Sequence, residues 1–369
     1  MLTAKPMRAA IAALLVLALL AAGHSALWRW TSGQIERGFA SWAAQRRAQG
    51  WTVEHGATTR GGWPFAATLN VPGLRMAATM PNLPGGFDWQ AEAVALRVAA
   101  PRLDRLVVDL RGRQRLRLGE TELPFAADRL EAFFPTGAGN SMREGEVQTE
   151  RLRMSTPSGL LELREGTLAF GTRTSATESE PALTLNLAMR GLGLPEAIAA
   201  LPALAAFGRQ VDSMVAEAVV SGPVPGGRDP VLRAEQWRDG GGTAEFRLLS
   251  LQWGPVGGGV NATVTLDDRL QPMGTATLRM SGADRVIRAL AEAGTLTPAS
   301  ASAAATALML LQRAPENGGP PQVEVPMTLE GSRLTVARVP LARLEPIPWP
   351  QRRGADISPG EDPTLPPRR

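Results

Sequence analysis

The sequence predicts an α+β protein, built mainly as an antiparallel β-sheet (curved or sandwich-like) with helical insertions and preceded by an N-terminal transmembrane or signal-anchor helix. Three observations predict this class. Residues 9–22 form an unbroken apolar run. After Gly50, apolar residues recur with a period of two, which is typical of half-buried strands. Gly- and Pro-rich turns separate these segments, and helical periodicity returns in only three places.

Residues 1–30 are predicted to form a signal anchor or transmembrane helix. Basic residues precede the apolar run, as in the charged first region of a secretory signal. Two interpretations stay open: a peptidase cuts after Gly23, or the helix continues to Trp28 as an uncleaved anchor. A helix from residue 9 to Trp28 would span about 30 Å, the thickness of a hydrocarbon core, and we favour the anchor.

Trp28 and Trp30 stand at the end of this segment. Aromatic side chains gather at membrane interfaces, so we predict that both are membrane-interface residues. The signal-like start predicts that the remaining chain is translocated, which gives a single-pass inner-membrane protein with its C-terminal domain in the periplasm. Arg29 and Arg37 follow the span, so the distribution of basic residues does not by itself favour this orientation.

Residues 31–50 are predicted to form a stalk helix that stops at Gly50. Ile35, Phe39 and Trp42 recur at helical spacing and form one apolar stripe. Two roles are compatible with this stripe. It packs on the domain that follows, or it lies along the membrane surface.

Residues 51–349 are expected to form a β-rich extracytoplasmic domain. Strand-like alternation is clearest in six segments, at residues 94–98, 106–110, 183–189, 260–266, 276–280 and 334–336. Helices are expected near residues 124–134, 195–220 and 284–313. Residues 350–369 are rich in Pro, Arg and acidic residues without periodicity, and we expect them to be disordered.

The composition excludes several kinds of chemistry. The chain has no Cys and no Tyr, and Lys5 is its single lysine among 39 Lys and Arg residues. Disulfides, thiolate nucleophiles and cysteine metal sites are therefore excluded, as is a Schiff-base lysine in the body of the chain. The formal net charge is only +4, with interspersed signs, so no nucleic-acid partner is expected.

No residue stands out as catalytic, cofactor-binding or metal-binding, and we expect no cofactor. His55 is the single histidine outside the membrane segment, and one histidine cannot form a two-histidine metal site. We interpret His55 as a surface or packing residue. The sequence has no Gly-x-Ser-x-Gly nucleophile elbow, and its glycine-rich segments lie in turn contexts.

Several short motifs carry a family resemblance. Trp28 stands at the end of the anchor, and residues 61–65 read Gly-Gly-Trp-Pro-Phe. Near the C-terminus, residues 330–334 read Glu-Gly-Ser-Arg-Leu and are followed by Pro340-Leu341 and Pro346. The chain resembles a Gram-negative bacterial family of unknown function that has a signal anchor and a β-rich envelope domain. This resemblance implies no catalytic residues, and we expect Trp63 to pack. More distantly, the architecture is similar to AsmA-type envelope proteins, which implies a role in lipid handling.

Together these observations favour a membrane-anchored, periplasmic, non-enzymatic protein that binds lipid or another envelope component. A curved sheet with an apolar concave face would hold an acyl chain, although the same face would equally serve to pack against the helices. Two alternatives stay open: an exported hydrolase that uses a pair of carboxylates, and a structural module that binds envelope partners. The expected partners are the inner membrane, through the N-terminal helix, and a lipid or an envelope protein.

Overall fold

A computed structural model describes residues 4–80, 83–137, 143–227, 229–294, 296–313, 321–336 and 339–350 of the chain. Of the segment predicted to be disordered, residues 351–369 lie outside the described residues.

One helix, α1 (Ala4–Ala48), contains both the predicted anchor and the predicted stalk. No proline occurs between Pro6 and Ala48, so the hydrogen-bond ladder of the helix continues without a break. The helix is followed by Gly50, whose φ of 87° is the left-handed conformation that glycine adopts after helix ends. The helix is long and apolar enough to cross a membrane.

The strands form one antiparallel sheet of 18 strands. The first half comprises β1 (Thr52–Glu54), β2 (Thr59–Gly61), β3 (Ala66–Met80), β4 (Leu83–Ala99), β5 (Arg102–Leu118), β6 (Thr121–Ala126), β7 (Arg129–Pro135), β8 (Glu144–Thr156) and β9 (Gly159–Thr172). The second half comprises β10 (Pro181–Gly193), β11 (Gln210–Ser221), β12 (Thr243–Trp253), β13 (Val256–Leu266), β14 (Pro272–Ser281), β15 (Gln312–Arg313), β16 (Gln322–Glu330), β17 (Arg333–Val336) and β18 (Val339–Arg343). The helices between the strands are α2 (Glu196–Ala199), α3 (Pro202–Ala205), α4 (Pro230–Asp239), α5 (Ala283–Glu292) and α6 (Pro298–Leu311).

The sheet is a meander in which almost every strand pairs with the next one along the chain. Its path runs from β3 to β5, continues through β7 to β14, and ends with β16 to β18. Short strands complete it: β1 and β2 share the outer edge of β3, and β6 pairs with β5 and β8 beside β7. Among the described residues no pairing joins β1 or β2 to β18, so the sheet has two open edges.

A row of apolar side chains crosses one face of the sheet from β3 to β16. Residues paired directly across antiparallel strands point to the same face, and the pairings define a row that crosses twelve strands. The row consists of Leu69, Leu96, Val108, Ala132, Val147, Leu168, Leu187, Ala216, Leu249, Val260, Leu278 and Val325. From Val147 onward every member is only half-buried. The apolar face is therefore partly open to its surroundings over most of the sheet.

The prediction of a helix near residues 124–134 is wrong. The segment contains the end of β6 and most of β7, separated by a short turn. Short apolar segments satisfy the helical period and the strand period equally well, so pattern alone cannot decide between them. Here tertiary pairing decides, because β7 forms ladders with β5 on one side and β8 on the other.

The prediction of a helix near residues 195–220 holds only for its beginning. Two single-turn helices, α2 and α3, occupy that part, and the chain then turns at Gly208 with a φ of 83°. From Gln210 onward the residues form β11, which pairs with β10 and β12. Val211, Val215 and Val219 are β-branched and favour the strand.

Two further regions between the strands are helical. Helices α5 and α6 lie where the sequence predicts a helical hairpin near residues 284–313, and the Thr297 hydroxyl caps α6 by accepting from the Ser300 amide at 3.2 Å. Helix α4 was missed by the sequence reasoning. Its start carries a recognisable signal, because Asp229 accepts from the Val231 amide at 2.9 Å.

Candidate functional site

The main candidate site is an apolar groove between α1 and the first strands of the sheet, with a volume of about 670 Å³. Helix α1 forms one wall, and the apolar face of β3, β4, β5 and β7 forms the other. The main apolar side chains of the lining are Trp30, Ile35, Phe39, Trp42, Leu74, Trp89, Leu96, Leu106, Val108 and Phe134. The few polar members are Thr31, Gln34 and Thr136. This composition suits an apolar ligand with a small polar end.

The helix wall exists because the stalk stripe faces the sheet. Phe39 and Ala43 are buried in one cluster with Val53, Leu69 and Val71. The cluster fixes the helix on the sheet through residues four apart, which share one helix face. Of the two roles predicted for the stalk, packing on the domain is therefore the one that the structure shows.

The groove opens at the end of α1 that lies nearest to the apolar run. Trp30 is 60% exposed there, and Leu103 on the opposite wall is 51% exposed. The Thr136 hydroxyl donates to the Leu103 carbonyl at 3.2 Å and holds the sheet side of this opening together. Trp51, outside the lining, packs on the buried cluster and contacts Phe87 at a ring distance of 5.9 Å. The exposed lining residues Trp30 and Leu103 therefore place an opening of the groove next to the apolar run.

One buried polar atom lies in the helix wall. The indole nitrogen of Trp42 is buried without a hydrogen-bond partner in the described part of the chain, while its ring stacks on Phe39 at 5.8 Å. A buried N–H without a partner costs about 1–3 kcal/mol. The apolar packing of the ring offsets this cost, so Trp42 contributes to the groove as a packing residue.

The opposite face of the sheet is polar and rich in ion pairs. Asp88 is almost fully buried there, 2.8 Å from the Arg75 guanidinium and 3.6 Å from that of Arg117. Hydrogen bonding from Arg75 lowers the pKa of Asp88, against the effect of burial, which raises it. Glu131 is held in the same way between Arg97 at 3.1 Å and Arg129 at 2.6 Å. These carboxylates are structural partners of arginine.

The described residues contain no group of three or more His, Asp, Glu or Cys side chains that could hold a metal ion. His55 contacts the ring of Phe39 edge-on at 5.0 Å, and its Nδ1 lies 2.9 Å from the Gly56 carbonyl. It is a packing residue at the helix–sheet junction.

The two predicted interface tryptophans occupy different places. The indole N–H of Trp28 donates to the Ala66 carbonyl at 2.9 Å and reaches the Gly61 carbonyl at 3.3 Å. Trp28 is half-buried, whereas Trp30 is exposed at the groove opening. Trp63 was expected to pack, and this is wrong: it is 57% exposed, beside Phe65, which is 85% exposed.

A family model described as an uncharacterized protein conserved in bacteria, DUF2125, matches residues 28–345. The chain belongs to the DUF2125 family. The DUF2125 match begins at Trp28 and extends beyond the end of β18, so it includes both walls of the groove. Among curated proteins none matches the chain. The resemblance to AsmA-type envelope proteins stays a prediction.

Sequence reasoning found the helix side of this DUF2125 groove and part of the sheet side, namely the alternating segments at residues 94–98 and 106–110. The stripe of Ile35, Phe39 and Trp42 was visible from its spacing. Phe134 was missed because its segment was assigned to a helix, and Leu103 because it lies next to a turn. The alternation at residues 106–110 placed Leu106 on one face of a strand, but it carried no signal that this face lies opposite α1.

Proposed function

We propose that this protein is a single-pass inner-membrane protein whose sheet domain lies in the periplasm and binds the acyl chain of a membrane lipid. The groove between α1 and the sheet is the proposed binding site. The observation that carries the proposal is its position: the groove runs along the helix that leaves the membrane and opens at Trp30. A lipid chain would enter it from the bilayer without crossing water.

The size and lining of the groove support this occupant. Ligand sites commonly have volumes of about 300–1,000 Å³ and are mostly apolar, and a groove of about 670 Å³ lies in that range. Burial of methylene groups stabilises such a complex by roughly 0.8 kcal/mol per group. The row of apolar residues that continues past Val147 extends the same surface beyond the groove.

A groove-filling substitution tests the proposal. Leu106 lines the groove, whereas its neighbour Val107 points to the opposite face, where it pairs with Phe133. We expect Leu106→Trp to reduce co-purifying lipid at least tenfold and Val107→Trp to leave it unchanged. The measurement is native mass spectrometry of the full chain in detergent, with added phosphatidylethanolamine and phosphatidylglycerol.

A second variant distinguishes a loss of lipid binding from a loss of folding. Leu103 is exposed at the opening, so Leu103→Arg places a charge in the path of the acyl chain without altering the buried cluster. Its thermal unfolding should match that of the wild type while lipid binding falls. A wild-type chain that takes up neither lipid, or two groove variants that retain it fully, would refute the proposed site.

A further inference from the structure

We propose that residues 61–66, here called the aromatic loop, form a second membrane contact that inserts Trp63 and Phe65 into the bilayer interface beside α1. The loop connects β2 to β3. The aromatic loop would attach the protein to the membrane at a second point, in addition to the apolar part of α1. The inference concerns the membrane surface and does not require a lipid in the groove.

The first observation is the exposure of the two aromatic side chains. Phe65 is 85% exposed, and no other large apolar side chain in the described residues is exposed to a greater extent. Trp63 is 57% exposed two residues before it. Neighbouring exposed aromatic residues on a loop mark a site of association, because their burial removes a large apolar area from water.

The second observation is where the loop is attached. Its base is fixed to Trp28, whose indole N–H bonds the carbonyls of Gly61 and Ala66. Its tip is fixed to His24, whose Nε2 lies 2.5 Å from the Pro64 carbonyl. His24 precedes Trp28 by four residues, or about 6 Å along the helix towards the apolar run. The tip of the loop therefore points towards the membrane span.

This placement sets the depth of the loop. With Trp28 at the level of the membrane interface, the tip lies about one helical turn deeper. Amphipathic elements at membrane surfaces bury their apolar side chains about 5–10 Å into the boundary between head groups and acyl chains. Trp63 and Phe65 belong to the residue types that favour this region.

The loop is built as a rigid turn. The amides of Phe65 and Ala66 both donate to the Gly62 carbonyl, at 3.0 and 2.8 Å. Gly62 has a φ of 88°, and a Cβ atom there would lie 2.6 Å from the Ala66 carbonyl oxygen. Only glycine fits this position without strain. A preorganised turn presents its aromatic side chains without an ordering cost on binding.

Two arginines beside the loop fit the head-group region. Arg29 follows Trp28, and Arg102 pairs with Ala99, which itself pairs with Ala66 at the loop base. Both are exposed, and neither side chain forms an ion pair or hydrogen bond with another described residue. Free guanidinium groups at this level suit lipid phosphates.

The experiment uses the full chain, which contains no cysteine, in vesicles of phosphatidylethanolamine and phosphatidylglycerol at three to one. Phe65→Cys carries an environment-sensitive fluorophore. The matched control is Ser158→Cys, in the turn between β8 and β9 at the other end of the strands. We expect spin-labelled lipids to quench the Phe65 label at least threefold more strongly than the Ser158 label. Equal quenching of both labels would overturn the proposal.

A second measurement leaves the labelled position outside the loop. Ala100 lies in the neighbouring turn between β4 and β5. The label is attached to Ala100→Cys in two proteins, one with the wild-type loop and one that also carries Trp63→Ser and Phe65→Ser. Loss of the aromatic side chains should lower lipid quenching at Ala100 at least twofold, because the sheet is no longer held at the bilayer. Unchanged quenching would contradict the inference. So would a Phe65 label that is shielded from water and lipid alike, since that result indicates a second copy of the chain on the loop.

Discussion

At the scale of single residues, Asp88 shows how the polar face of the sheet contributes to stability. Its carboxylate is nearly inaccessible to solvent and is bonded by Arg75, which lowers its pKa. A carboxyl group whose pKa is lower in the folded state stabilises the fold above its ordinary pKa, and this contribution is lost as the pH falls.

Asp88→Asn should therefore lower the free energy of unfolding at pH 7 by about 1.5–3 kcal/mol, the range for hydrogen bonds to charged groups. The difference from the wild type should shrink as the pH falls through and below the ordinary value of 3.8. Urea unfolding at a series of pH values measures it. Asp268→Asn, in an exposed turn, is the control and should have little effect at any pH. A difference that stays constant with pH would show that Asp88 acts through packing alone.

Trp63 marks the limit of prediction from sequence at this scale. A tryptophan in a short motif between strands is expected to pack, because most large aromatic side chains do. Its exposure follows from the turn at Gly62 and from the contacts of Trp28 and His24 with the loop. These contacts join residues about 40 positions apart, and local sequence carries no signal for them.

At the scale of elements, α1 joins the apolar run to the sheet as one continuous helix. Its apolar stripe was visible in the sequence because helical spacing is a local property. The strands were harder to assign. β7 and β11 were both partly predicted as helix, and in each case neighbouring strands on both sides determine the outcome. Propensity yields to tertiary pairing in such short segments.

The docking of α1 on the sheet is testable with two adjacent alanines. Ala43 is 1% exposed in the buried cluster, whereas Ala44 is exposed. Ala43→Glu should bury an unpaired carboxylate, lower the free energy of unfolding by about 3 kcal/mol or more, and release the helix from the sheet. Ala44→Glu should have almost no effect. Thermal unfolding and limited proteolysis near Gly50 measure both, and equal sensitivity of the two variants would contradict this packing.

At the scale of the whole molecule, the sequence supports the class of fold but not its register. Period-two segments separated by turns were sufficient to predict an antiparallel sheet. The twelve-strand apolar row depends on every turn length and on bulges such as those near Ala78 and Ala93, which shift one strand against the next. An error of one residue in the predicted register of a strand moves all of its side chains to the opposite face of the sheet. A single sequence therefore does not determine which residues line the groove.

Orientation in the membrane is also a property of the whole molecule. The proposed function places the sheet domain in the periplasm. Alkaline phosphatase fused after Arg369 should therefore be active in intact cells. The matched fusion to a reporter that works only in the cytoplasm should be inactive. The opposite pair of results would place the sheet in the cytoplasm and leave the groove and its lipid assay unaffected.

The meander has a consequence for how this chain acquires its structure. Almost every strand pairs with the one that precedes it in the chain, so each new strand finds its partner already synthesised. Contacts close in sequence are formed at a small cost in loop entropy, and such topologies fold quickly. The first long strand, β3, packs against α1, which precedes it in the chain. The nascent sheet then has one fixed edge at β1 and β2 and one growing edge, which moves along the chain until β18 is added.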